Sequence, residues 1–235
     1  MSAPANSDDI RWPTGWHVSE VASTGSTNTD LLAACDAGAP DRAVLRTDHQ
    51  VAGRGRLDRR WDAPPRANLL VSILFRDVPE HPGELTRRVG LAALDACTAC
   101  AGVVPALKWP NDLVLGDRKL GGILAQRSPS GPVVVGLGLN VGWAPSEAAR
   151  LGDAISPRHV LAALLAAYDA LPTDVDARYR ERLSTLGRRV RVELPNSEIH
   201  GTAIDVERDG RLVVLDTCGV TQRLDVGDVV HLRPA

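Results

Sequence analysis

Between Ala106 and Val141 the chain offers several short apolar runs separated by very short turns. Ala106–Trp109, Asp112–Leu115, Lys119–Gln126 and Pro132–Val141 each read as a strand, with Gly116-Asp117 and Ser128-Pro129-Ser130-Gly131 turning the chain between them. Parallel neighbours need a crossover of a dozen residues or more, so strands this close in sequence must pair antiparallel. A doubly wound α/β sheet is thereby excluded, because strands and helices do not alternate regularly.

The remaining periodicities complete an α+β domain. Trp16–Ala22, Ala43–Thr47 and Asn68–Phe75 (NLLVSILF) read as strands, the last buried on both faces. A helix capped at Thr27 or Asn28 should bury Leu31, Leu32 and Cys35 and stop at Gly38. Apolar residues at 85, 89, 92, 93, 96 and 100 predict a helix over Glu84–Ala101 ended by Gly102. Two further helices are expected over Pro157–Leu171 and Thr173–Leu186. Short strands then follow at 189–194, 200–207, 211–216, 219–224 and 228–232, with Asp209-Gly210 as a hairpin signal. The expected organisation is a disordered lead-in at 1–14; a main domain at 15–187 with a mixed, mainly antiparallel sheet backed by helices; and a small β-barrel at 188–235.

Composition narrows the function. The 235 residues carry a net charge of −2, which argues against a whole-protein nucleic-acid binder. No apolar run is long enough to span a bilayer, and the polar, acidic N-terminus is unlike a signal peptide, so a cytoplasmic protein with reduced thiols is expected. Cys97 and Cys100 form a C-x-x-C, but they fall late in a helical pattern among alanines, without a second pair or a close histidine pair, and read as packing residues.

Four segments carry candidate chemistry. Gly53-Arg54-Gly55-Arg56-Leu57-Asp58-Arg59-Arg60-Trp61 combines glycines with permanently charged planar forks suited to phosphate or carboxylate. Ser26-Thr27-Asn28 offers two hydroxyls and an amide to a compact polar group such as a ureido ring, although a plain helix cap explains it as well. Lys108-Trp109-Pro110-Asn111-Asp112 followed by Lys119-Leu120-Gly121-Gly122 sets a cation beside bare backbone, or is simply a hairpin with a solvated lysine. Gly136-Leu137-Gly138-Leu139-Asn140 is not a dinucleotide fingerprint, because position 141 is valine and no helix follows; its glycines suggest a ligand passing over a strand, with Asn140 at its polar edge. The six histidines are scattered without catalytic or metal-binding spacing, and no Walker phosphate loop is present. Charge neutralisation and positioning of phosphate is the chemistry this set favours.

Taken in chain order, Ser26-Thr27-Asn28 first and Gln50 preceding the arginine loop, the segments resemble the biotin–protein ligases over about Trp16–Leu186, and the small terminal barrel fits as an SH3-like domain. The resemblance implies a synthetase-like catalytic domain that activates biotin with ATP and Mg²⁺ to biotinyl-5′-AMP, then transfers biotin to a lysine on a biotin carboxyl carrier domain of an acyl-CoA or pyruvate carboxylase. It implies that Ser26, Thr27, Asn28 and Gln50 bind the polar head of biotin, and that Gly121 and Gly122 pass close to it. Gly53, Arg54, Gly55 and Arg56 would hold the carboxylate end and the phosphate, Trp61 would stack near adenine, and Lys119 would be the main catalytic cation beside Arg54 and Arg56. Asn111 and Asp112 would support the triphosphate or its magnesium, and Asn140 the nucleotide. Members often have a third glycine where this chain has Leu57-Asp58; Asp58 is expected to pair with Arg59 or Arg60. The loop 51–61 is expected to order on binding biotin or the adenylate.

Rivals are lipoate ligases and octanoyltransferases of similar fold, a biotin-responsive DNA-binding regulator, and a catalytically dead relative. The arginine loop with K-W-P-N-D favours the biotin branch over the first. The short run before Ser26 disfavours the second, so no DNA partner is expected. Lys119 with Arg54 and Arg56 argues against the third. A sheet edge leaves a homodimer open.

Overall fold

The computed structural model describes residues 10–57, 59–194, 197–225 and 227–231. Asp58 lies outside them, as does most of the expected lead-in. The main sheet contains β1 (His17–Val21), β2 (Ala43–Thr47), β3 (Leu69–Phe75), β4 (Ala106–Lys108), β5 (Asp112–Leu115), β6 (Arg118–Arg127) and β7 (Val133–Leu139), in the order β1-β2-β3-β7-β6-β5-β4. Only β1 and β2 pair in parallel; the other pairs are antiparallel, as the short turns require. Among the described residues four helices accompany it: α1 (Thr27–Asp36), α2 (Gly83–Ala101), α3 (Pro157–Asp169) and α4 (Asp176–Arg182).

The apolar run of β3, interrupted only by Ser72, is explained by burial on both faces. Leu69, Val71, Ile73 and Phe75 join the core with Val89, Ala93 and Ala96 of α2 and Val160 and Leu164 of α3. Leu74 instead meets Leu31 and Cys35 of α1 and Val134 of β7. Each of these leucines, fully removed from water, contributes about 1.5–3 kcal/mol. Ser72, the one polar residue of the strand, is 0% exposed and faces the α1 side.

Two expectations are corrected. The N-cap of α1 is Ser26, and it makes no side-chain capping bond. Thr27 and Asn28 are helical, and their side chains are committed elsewhere. The helix expected to continue to Leu186 ends at Arg182. Beyond it Leu183 bridges to Leu107, and the Ser184 N–H donates to the Leu107 carbonyl at 2.7 Å. The leucines satisfied a helical period, but the backbone here serves the free edge of β4.

A second sheet follows: β8 (Arg189–Leu194), β9 (Ser197–Val206), β10 (Leu212–Asp216), β11 (Thr221–Leu224) and β12 (Asp228–His231), all antiparallel in the order β11-β10-β9-β8-β12. It is the expected small β-barrel, and the turn before β10 docks it on the main sheet. The Trp109 indole N–H donates to the Gly210 carbonyl at 2.9 Å, and Arg87 donates to the Arg208 carbonyl at 2.7 Å. Trp109 is only 3% exposed, so the bulky residue of K-W-P-N-D is an anchor between the two sheets.

The C-x-x-C is inert. Burial first, and then the neighbouring Cys100, push the Cys97 thiol up to about 12, so it carries no thiolate at neutral pH. Among the described residues no cluster of three or more histidine, cysteine or carboxylate side chains is placed to hold a metal, and no helix is long and apolar enough to cross a membrane.

Candidate active site

A cavity of about 650 Å³ opens on the α1 side of the main sheet. The alternation Gly136-Leu137-Gly138-Leu139 builds its floor by a period of two. Leu137 and Leu139 are buried in the core, 3% and 0% exposed. The glycines face the other way: Gly136 pairs with Ser72 and Leu124, and Gly138 with Leu70 and Gly122. The bare strip is covered by the protein itself. A Cβ on Gly136 would lie 2.2 Å from Asn28 Oδ1, and one on Gly138 would lie 2.5 Å from the Trp61 ring. The glycines therefore admit neighbouring side chains to the sheet surface. Gly53 and Gly121 likewise serve internal packing: their Cβ atoms would meet the Trp61 carbonyl at 2.2 Å and the Gly138 carbonyl at 2.9 Å, and neither residue lines the cavity.

One end of the cavity is polar and dry. Ser26, Thr27 and Asn28 are 5%, 3% and 4% exposed. The Thr27 N–H donates to Gln50 Oε1 at 2.8 Å. Asn28 Nδ2 donates to the Leu124 carbonyl at 3.0 Å and to Gln126 Oε1 at 2.9 Å, while Ser72 Oγ lies 2.6 Å from Asn28 Oδ1. Ser72 and Gln126 escaped the sequence reading, although a lone serine in NLLVSILF was a usable signal.

The other end is cationic. Lys119 Nζ lies 2.7 Å from Asp112 Oδ1 and 5.7 Å from the centroid of the Trp61 ring. Arg56 donates to Asn111 Oδ1 at 3.2 Å, and Asn111 donates in turn to the Ile123 carbonyl at 2.8 Å, so Asn111 props the guanidinium. Arg54 also lines the cavity, and among the described residues its guanidinium has no partner. The indole nitrogen of Trp61 is buried without a hydrogen-bond partner among the described residues. Asn140 lines the cavity but spends its carboxamide on the Ala149 carbonyl at 3.0 Å and on Asn68 at 3.3 Å, which fixes the chain beyond β7.

In the arginine segment Gly55 N donates to the Arg59 carbonyl at 2.7 Å and Trp61 N to the Gly53 carbonyl at 3.0 Å. The second sheet meets its arginines from outside. Asp228 accepts from Arg59 and lies 3.6 Å from Arg56, whose guanidinium also reaches the Gly227 carbonyl at 3.4 Å. Asp228 lies 169 residues from Arg59 in the chain, which no local pattern discloses. Because Arg59 is 65% exposed, solvent screens its pair with Asp228. Asp228→Asn is accordingly expected to speed tryptic cleavage within residues 51–61 of the ligand-free protein only two- to fivefold, roughly what a fraction of a kcal/mol allows; an unchanged rate would remove the restraint.

Residues 22–140 match the biotin/lipoate A/B protein ligase family, and residues 185–232 match the biotin protein ligase C-terminal domain. This chain belongs to that ligase family. A biotin–[acetyl-CoA-carboxylase] ligase of Mycobacterium tuberculosis (strain ATCC 25618 / H37Rv) is 43% identical, over 93% of this chain and 91% of its own length. One from Paracoccus denitrificans is 28% identical, over 85% of this chain and 94% of its own. Among solved structures, the biotin protein ligase of Aquifex aeolicus in complex with biotin and ATP shares the fold with a TM-score of 0.79 at 23% identity, covering 93% of this chain and 99% of that one. The ligase family match begins just after β1, runs through β7 and includes every candidate segment from Ser26 to Asn140.

Proposed function

We propose that this chain is an ATP-dependent biotin–protein ligase. It joins the carboxylate of biotin to the α-phosphate of ATP, releasing pyrophosphate, and passes the biotinyl group to a lysine amine of a biotin carboxyl carrier domain, releasing AMP. The carboxylase that owns the carrier is of the acyl-CoA or pyruvate class; the name of the mycobacterial relative favours the former. The observation that carries the reading is one cavity with a dry polar end at residues 26–28 and 50 and a cationic end at Lys119, Arg54 and Arg56. A molecule with a polar head and an anionic tail spans the two.

The first step brings two anions together. Unit charges about 4 Å apart repel by roughly 4 kcal/mol at an effective dielectric near 20. Lys119 and the arginines lower that barrier when they lie between the groups. Trp61 closes the sheet side of the meeting point. Magnesium fits as a passenger on the nucleotide: Asp112 is the candidate carboxylate, among the described residues no protein cage surrounds it, and Mg²⁺ is ordinarily held by one or two carboxylates plus phosphate oxygens. When bound, it would neutralise the triphosphate.

The decisive experiment incubates the protein with a carrier domain, biotin and Mg-ATP and weighs the carrier by mass spectrometry. A gain of one biotinyl group on a single lysine is expected. No gain, or modification with lipoate in place of biotin, would overturn the reading.

A further inference from the structure

We infer that Ser72 is a positioning residue for the head group of the substrate: with Asn28 it sets the direction of the hydroxyl protons, so that Thr27 Oγ1 meets the ligand as an acceptor while Gln50 Nε2 meets it as a donor. The inference deepens the proposed reaction and rests on it.

Two backbone groups impose the order. The Leu124 carbonyl can only accept, so the Asn28 amide nitrogen must face it, at 3.0 Å. Asn28 Oδ1 then lies on the opposite side, 2.6 Å from Ser72 Oγ. Two oxygens come that close only with a proton between them, and the carboxamide oxygen has none to give. Ser72 must supply it. A serine hydroxyl carries a single proton, so toward Thr27 Oγ1, 2.7 Å away, Ser72 offers a lone pair and Thr27 donates.

The proton of Thr27 is thereby spent inside the protein, and its oxygen faces the cavity with lone pairs only. At the other side the Thr27 N–H can only donate. It takes Gln50 Oε1 at 2.8 Å and leaves the Gln50 amide nitrogen, which makes no hydrogen bond among the described residues, as the donor. The 3.1 Å approach of Thr27 Oγ1 to Gln50 Oε1 is then a contact between two acceptors, tolerable because that oxygen already holds the backbone N–H. Ser72, at 0% exposed, has no water to turn to.

A site with one acceptor beside one donor suits a ring bearing an N–H next to a C=O, as a cyclic urea does. A dithiolane offers neither. A ligand with oxygen in place of that N–H would set two lone pairs against each other.

The test measures binding of biotin and of the two carbamate analogues in which one or the other ring N–H is replaced by oxygen. Wild-type protein should prefer biotin over the more strongly rejected analogue by about tenfold to a hundredfold, the usual consequence of leaving a buried polar pair unmatched. In Ser72→Ala the Thr27 hydroxyl is freed to turn its proton toward the ring oxygen, and the preference should shrink to about threefold. Ser72→Thr, which keeps the hydroxyl, should retain it. A purely structural serine would weaken both ligands alike, and an unchanged ratio in Ser72→Ala overturns the inference. If Ser72→Ala fails to fold, Thr27→Val removes the acceptor without touching β3 and must collapse the same ratio; an unchanged ratio there overturns it equally. Wild-type protein that biotinylates a carrier but shows no such preference sinks this inference alone, whereas absence of biotin binding in the wild type sinks the proposed function.

Discussion

Lys119→Ala should slow formation of the acyl-adenylate by about 10²–10³ while leaving biotin affinity within a few-fold, since removal of one preorganised electrostatic contact costs that much in rate. The structure makes the loss larger than one missing cation. Lys119 is held 2.7 Å from Asp112 at the cationic end of the cavity, so its deletion also leaves an uncompensated carboxylate where two anions must meet. Lys119→Arg keeps the charge and should retain more activity than the alanine variant. Biotin-dependent exchange between ATP and pyrophosphate reads the step directly. Near-normal exchange in Lys119→Ala would remove this residue from the mechanism.

Gly136→Ala is the second large effect, and it acts at the opposite end. The added methyl would stand 2.2 Å from Asn28 Oδ1, and that carboxamide is bound on both sides by Ser72, Leu124 and Gln126. Something must shift. Overpacking of this kind costs about 1–3 kcal/mol, or roughly tenfold to a hundredfold in biotin affinity if the strain is relieved by losing the head-group contacts. The KM for ATP should stay within about twofold, because Lys119 and Arg56 are carried by other segments. A variant that binds biotin normally and loses ATP instead would show that the polar end of the cavity belongs to the nucleotide.

Much of this architecture is readable from local pattern. The turns between Gly116 and Gly131 dictate antiparallel pairing, and the alternation at 136–139 separates core leucines from bare backbone. The period-3.6 leucines and alanines of Glu84–Ala101 specify α2, with Gly102 at a φ of 66° ending it. What local pattern misreads is the destination of a side chain. The glycines at 53, 121, 136 and 138 suggest room for a ligand, yet each accommodates a neighbouring part of the same protein. Thr27 and Asn28 look like caps but serve a polar string with β3 and β6. Asn140 lines the cavity and also fastens the chain after β7, a second duty that its place in the motif does not disclose. The helix expected at 173–186 stops early because β4 has an edge to fill, and an edge is created only once the sheet has formed. Asp228 lies beyond any sequence window, since it meets the arginines only after two sheets dock.

The segment Trp109–Asp112 faces two ways. Its tryptophan is tied to the Gly210 carbonyl of the second sheet, and two residues later Asn111 props Arg56 inside the cavity. Grafting the terminal module of a distant relative onto this chain would therefore do more than exchange an appendage. Unless the foreign turn offered a carbonyl at the right height for that indole, the recipient would lose the alignment of a guanidinium it supplies itself, and the hybrid would fail in chemistry before it failed in folding.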